Sequence, residues 1–373
     1  MNEHDDAPPA DVTPELFLEW RAPRLGIANP ERLNNPVWTW LVSSGLNAYC
    51  ATERMQGPSA MEAGPGWCFE RFGQSSTTLP DGRVVLIGGE HEDHYDPDFF
   101  IYNDVVVRHP DGALDIFGYP HAVFPPTDFH SATLVGNRII IVGSLGYPEE
   151  RAAGMTPVCV LEIDSWAIST VLSRGTPPGW IHGQKATLVD EGAAILIQGG
   201  KLDRGGDEGS LVENIDDWKL HLADWRWERL TNRKWRRWEF TREDRQPNHL
   251  WQIRSALFEK EFNLPESPLL AQLHEQGLMP TLEEELGGAP DFDLFRRRFT
   301  PDVPHEALPE SEEEFSVYRI KVAGLVVRYV EEGHAVQMTV EGELPSLTVE
   351  ALTKDLQEKL AALERAAVKV RSL

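Results

Sequence analysis

Hydrophobic residues between positions 66 and 231 fall in short blocks that return at a near-constant interval. Ser76-Thr77-Thr78-Leu79, Ser131-Ala132-Thr133-Leu134 and Lys185-Ala186-Thr187-Leu188 align, and their threonines (Thr78, Thr133, Thr187) lie 55 and 54 residues apart. After each block come turn residues, Asp81-Gly82, Gly136-Asn137 and Asp190-Glu191-Gly192, and then four apolar residues: 84–87, 139–142 and 194–197. Turn residues that tolerate positive φ, set between two strand-like runs, predict hairpins. An uninterrupted Val/Ile/Leu run predicts a strand buried on both faces. Gly88-Gly89, Gly143-Ser144 and Gly199-Gly200 close the runs. A glycine pair there predicts backbones that approach too closely for side chains, with Ser144 a departure from the pattern.

The second half of the unit repeats as well. Asn103 follows Gly89 by 14 residues, and Asn214 follows Gly200 by 14. In the third unit an alternating run, Trp218 to Leu222, leads through Asp224 to Trp227; the second runs from Val158 to Ile163 and on to Trp166. A period near 50 residues with a double glycine, an Asn-Asp strand and a distal tryptophan resembles the kelch repeat family. The resemblance spans residues 66–231 and implies a mainly β fold, a kelch-like β-propeller that is short or irregular. Three blades are fewer than the four to eight of closed propellers, so an open or atypically closed one is expected.

The flanks change period. Asn35-Pro36 reads as a helix N-cap and first position, and Trp38, Leu41, Val42, Leu46 and Tyr49 recur at helical spacing. A helical N-terminal segment is therefore expected over 1–65, with one helix at 14–21 and another at 36–54. Residues 232–315 read as a Trp-rich and acidic connection with short helices at 250–262, 269–276 and 282–286. Residues 316–373 read as a small α+β module. It comprises a hairpin of 318–330 and 335–340 around Glu332-Gly333, then a helix over 349–370 capped by Thr348, with Leu352, Leu356, Leu360 and Leu363 on one stripe.

Charge narrows the partners. With 35 Lys+Arg against 60 Asp+Glu the formal net charge is −25, and the one basic cluster, Arg233 to Arg237, is short and lies among tryptophans. Such a field disfavours nucleic acid and anionic membranes; a protein partner is expected and the charge permits a basic one, with a solvated acidic surface as the competing reading. No apolar run reaches the roughly 18 residues that span a bilayer. The N-terminus is acidic and proline-rich, and the three cysteines form no metal knuckle or disulfide framework, so a cytoplasmic protein is expected.

Candidate chemistry gathers in two places. Glu90-His91-Glu92-Asp93-His94-Tyr95-Asp96-Pro97-Asp98 is the densest polar stretch and is expected as a loop at one face of the propeller. His91, Asp93, His94 and Asp96 are ligand types suited to a divalent metal, in a spacing that matches no standard motif; a solvated acidic loop is the competing reading. Gln74, His130, His182 and Gln184 precede the inner strands, where a ligand pocket at a channel mouth would draw on them. Some kelch-like proteins are enzymes, a copper radical oxidase and sugar-isomerising enzymes among them. The oxidase type needs a Tyr–Cys crosslink with two histidines, and Cys50, Cys68 and Cys159 are not placed for it. No GxSxG, P-loop or GxGxxG motif is present. The reading is a non-catalytic binding scaffold, with a metal-dependent enzyme or binder of a sugar-like ligand as the alternative.

Overall fold

The computed structural model describes residues 7–93, 96–205, 211–309 and 316–373. The chain forms two compact units, Met1–Asn232 and Arg233–Leu373. It is mainly β, built from several antiparallel sheets, and no sheet among the described residues closes into a barrel or ring.

Three sheets of the first unit share one plan. The first runs Ser75–Thr78, Val84–Ile87, Val105–Arg108 and Leu114–Gly118, with Glu31–Arg32 added at its outer edge. The second runs Ser131–Val135, Arg138–Val142, Val158–Glu162 and Ile168–Thr170; the third Lys185–Val189, Ala194–Gln198, Trp218–His221 and Arg226–Arg229. Alternation divides each apolar strand between two cores. Val85, Ile87, Val105 and Val107 of the first sheet pack with Ile139, Ile141, Cys159 and Leu161 of the second. The intervening Ile140, Val142, Val158 and Val160 pack with Ile195, Ile197, Trp218 and Leu220 of the third. The Ile139–Val142 run is unbroken because both of its faces are covered.

The two ends of this stack differ. The first sheet's outer face, with Val106 and Ile116, is covered by helices Pro14–Trp20, Pro36–Ser44 and Ala48–Arg54, where Trp38 stacks on Trp67 at 4.7 Å. On the third sheet the register sets Thr187, Leu196, Lys219 and Glu228 in one row on the other face. That face is polar: Lys219 pairs with Asp190 at 2.9 Å and His221 with Glu228 at 2.7 Å.

Several expectations are corrected. The single helix over 36–54 is two, because Gly45 takes a left-handed C-cap and Asn47 caps the next helix by accepting from the Cys50 amide. The acidic stretch 90–98 is not a loop: Glu90–Asp93 and Asp96–Ile101 pair as an antiparallel hairpin. Trp166, the distal tryptophan of the second unit, lies between the third and fourth strands at φ 58°, matching Trp225 (55°) rather than Trp227 on the fourth strand of the third unit.

The second unit is a six-stranded antiparallel sheet in the order Glu306–Ala307, Val317–Val322, Leu325–Glu331, Ala335–Val340, Arg236–Arg242, Val368–Ser372. Helix Ser346–Glu364 buries Leu352, Leu356, Leu360 and Leu363 against it. The helix begins at Ser346 rather than after a Thr348 cap, and it ends at Arg365, whose φ of 46° is left-handed. The residues beyond, Val368–Ser372, alternate apolar and polar and form an edge strand instead of a continuing helix. The turn at Ala323-Gly324 splits 318–330 into two strands, so the region is a three-stranded meander. Of the expected connection 232–315, the described residues from Arg233 on contribute the strands Arg236–Arg242 and Glu306–Ala307 and four helices to this same unit.

Candidate functional site

The glycine pairs all lie at one end of the three sheets, and there the sheets are fastened together by a pattern that occurs twice. A Cβ on Gly88 would stand 2.2 Å from the Thr127 carbonyl oxygen, and one on Gly143 would stand 2.3 Å from that of Ile181. The next residue then donates to that carbonyl: the Gly89 amide to Thr127 at 2.8 Å and the Ser144 amide to Ile181 at 2.9 Å. Ser144 therefore keeps the main-chain bond of the glycine it replaces.

Side chains repeat the seam. The Ser75 hydroxyl and His130 Nε2 are 2.7 Å apart, and the Ser131 hydroxyl accepts from Gln184 Nε2 at 3.2 Å. His130 and Gln184 each precede an inner strand and reach the serine that opens the previous one. Gln74 occupies the same position in the first sheet and donates to the Gly88 carbonyl at 3.4 Å. Gln184 also donates to the Val142 carbonyl at 2.6 Å. Three of the four predicted ligand residues thus hold equivalent places in the seam. Burial depresses the His130 imidazole to about 4, which makes it a neutral hydrogen-bonding group.

His182 is placed differently. It belongs to a small sheet of Trp180–His182, Lys201–Asp203 and Leu211–Glu213 that extends from the glycine end of the third sheet. Its ring meets Phe129 edge-on, and burial, followed by the nearby Lys201 and Arg151 charges, lowers its pKa to about 4.

Around it lies a polar group that the sequence did not single out. Asp128 is buried and accepts from the Gly146 amide at 2.7 Å; burial raises its carboxyl. Arg151 donates to the Leu145 and Gly146 carbonyls and pairs with Asp203 at 3.3 Å. The Tyr147 hydroxyl accepts from the Ile101 amide and so ties this loop to the acidic hairpin. At the base of that hairpin Glu90 is half-buried. Burial, then Asp128, then Glu92, push its carboxyl up to about 7. Glu90 Oε2, Ser144 Oγ, His182 Nε2 and Gln184 Oε1 are buried without a protein partner among the described residues. Buried polar atoms are ordinarily satisfied, so four at one end of the sheets mark it as a place for water or a polar ligand. The signal available earlier was Ser144, the one break in the glycine pattern.

A cavity of about 50 Å³ opens beside Ser144, lined by Phe124, Pro126, Pro157, Cys159 and Trp180. It is well below the roughly 300 Å³ at which sites for drug-sized ligands begin. Among the described residues no three His, Cys, Asp or Glu side chains stand together as metal ligands. Of the predicted metal set, His91 lies on the hairpin opposite Phe100 and Asp93 opposite Asp96; His94 lies outside the described residues.

No family model and no curated protein matches the chain. Among solved structures it is similar to one titled "Structure of YjhT", at 12% identity and a TM-score of 0.33, covering 44% of this chain. The match spans about half of that structure's length (52%).

Proposed function

We propose that residues 66–231 are three kelch-like blades in an open arc, and that they form a rigid scaffold which binds a basic protein partner at the glycine end. The observation that carries this reading is the twice-repeated seam: a positive-φ glycine against the next unit's carbonyl, a main-chain bond beside it, and a serine joined to the residue before the next inner strand. Such a seam fixes the position of whatever projects beyond it, and rigid scaffolds carrying variable projections are a common basis for recognition. What projects is acidic. The segment 90–101 that follows the Gly88-Gly89 pair contains no lysine or arginine and holds Glu90, Glu92, Asp93, Asp96 and Asp98.

The test uses labelled peptides of matched length, rich in Lys/Arg, rich in Asp/Glu, or neutral, titrated against the full chain by fluorescence anisotropy. The Lys/Arg peptide is expected to bind in a salt-sensitive way and to weaken roughly tenfold with Glu92→Lys plus Glu149→Lys, two exposed positions. Equal binding by the charge-reversed variant would sink the proposal.

A second reading, a small polar ligand held at the same end, is favoured by the four unpartnered atoms and by Glu90, whose near-neutral carboxyl suits proton transfer. A metal held by His91, Asp93, His94 and Asp96 belongs to this reading. Elemental analysis showing stoichiometric metal that His91→Ala removes would select it over the scaffold.

A further inference from the structure

The acidic hairpin at the glycine end shows two phenylalanine rings to solvent. Phe72 bridges to Glu90 through two main-chain bonds of 2.8 Å, and Glu90 stands opposite Ile101 in the hairpin register. Residues directly opposite in an antiparallel pair point to the same side, and so do alternate residues along a strand. Phe72, Glu90, Ile101 and Phe99 therefore share one face. Phe72 is 64% exposed and Phe99 46%. Phe99 meets the Tyr147 ring at 88° with centroids 6.0 Å apart, and the Tyr147 hydroxyl is fixed by the Ile101 amide at 3.0 Å. Neither phenylalanine belongs to a core of the first unit, so both rings are surplus to folding and open to a ligand.

Carboxylates stand around these rings. Burial, followed by Asp128 and Glu92, raises the Glu90 carboxyl. Burial also raises the Tyr147 hydroxyl, the Ile101 amide lowers it, and Glu150, Asp128 and Glu149 raise it again. Five carboxyl groups thus lie within electrostatic reach of Glu90 and Tyr147. The cations nearby face other partners. Arg71 is buried, paired with Asp104 and laid over Tyr102. Arg151 spans the Leu145 and Gly146 carbonyls and Asp203. Lys201 stands opposite His182 and Glu213 in the small sheet. His121 pairs with Glu150, while Glu92 and Glu149 are exposed at the rim. An open ring beside carboxylates selects a cation that can stack. A guanidinium is planar and weakly hydrated, so its face can lie on a ring while its edge donates to a carboxylate; an ammonium holds its water more strongly. An anionic ligand, or a second copy of the chain at −25, would bring like charge.

We infer that the Phe72 and Phe99 rings, with Glu92 and Glu149 beside them, recognise arginine side chains of the protein partner in preference to lysine. The assignment rests on the basic-partner reading and adds to it the residue type selected. The test is anisotropy of the full chain with two labelled peptides of equal length and charge, one of Arg and Ser, the other of Lys and Ser. The Arg peptide is expected to bind about three- to fivefold more tightly. Phe72→Leu plus Phe99→Leu should erase that advantage while the Lys peptide's affinity and the thermal midpoint stay unchanged. Phe99→Tyr keeps a ring and should keep the preference, and Glu92→Lys plus Glu149→Lys should weaken both peptides alike. Equal affinity of the wild type for the two peptides overturns the assignment and leaves the basic-partner reading standing. So does an Arg advantage that survives the double leucine change, or a leucine variant that loses both peptides equally. Failure of either peptide to bind the wild type overturns both.

Discussion

At the scale of single residues the seam makes the sharpest claims. Gly88 and Gly143 combine positive φ with a neighbouring carbonyl where a Cβ would stand, whereas Gly136, at φ 60°, has open space around it. Gly88→Ala or Gly143→Ala should therefore cost about 2–4 kcal/mol, against about 1 kcal/mol for Gly136→Ala, as measured by denaturant unfolding. His130 makes a claim about pH. Its folded pKa near 4 lies below the unfolded value of 6.5, so between these limits the unfolded chain takes up a proton that the folded one refuses. Its contribution is present above pH 6.5 and is lost as pH falls toward 4. His130→Gln supplies the residue type found at the equivalent positions 74 and 184, and it should close the stability gap to wild type progressively over that window. Glu90 has the opposite sign. Its folded carboxyl, near 7, holds a proton that the unfolded chain releases above about 4.5, so it weakens the fold as pH rises between those values. Glu90→Gln should gain stability over wild type toward pH 7, seen in thermal midpoints taken across the range. The polar residue before each inner strand was legible as a repeat position. Its partner was not, because a serine 53 to 55 residues earlier is brought to it only by stacking of the sheets.

At the scale of elements, hydrophobic period located most strands and helices, and the exceptions share a cause. Arg236–Arg242 was hidden by its charged and aromatic composition, yet it is the strand that joins Ala335–Val340 to Val368–Ser372. Val368–Ser372 was absorbed into the preceding helix because both segments are apolar at compatible spacing, and only pairing across more than a hundred residues distinguishes them. Deleting residues 366–373 should expose the edge of Arg236–Arg242 and speed hydrogen exchange across 236–242, while exchange in the three sheets of the first unit is unchanged. Leu356 is almost wholly buried between helix and sheet, and Leu356→Ala should cost about 2–5 kcal/mol in the second unit.

At the scale of the molecule, the three-fold period was legible because each unit repeats the same turn chemistry, strand burial and glycine approach. The polar cluster of Asp128, Ser144, Arg151 and Asp203 was not, since its members are drawn from different repeats and no spacing connects them. With the stack covered by helices on one face and finished by the Lys219 and His221 ion pairs on the other, the glycine end is where Glu90, Ser144, His182 and Gln184 each bury a polar atom without a partner among the described residues. The claim that this end is the binding face is tested most directly by hydrogen exchange of the full chain with and without the Lys/Arg-rich peptide. The account predicts protection concentrated in residues 88–93, 144–151 and 200–203. Protection confined to the outer strands, or none at saturating peptide, would contradict it.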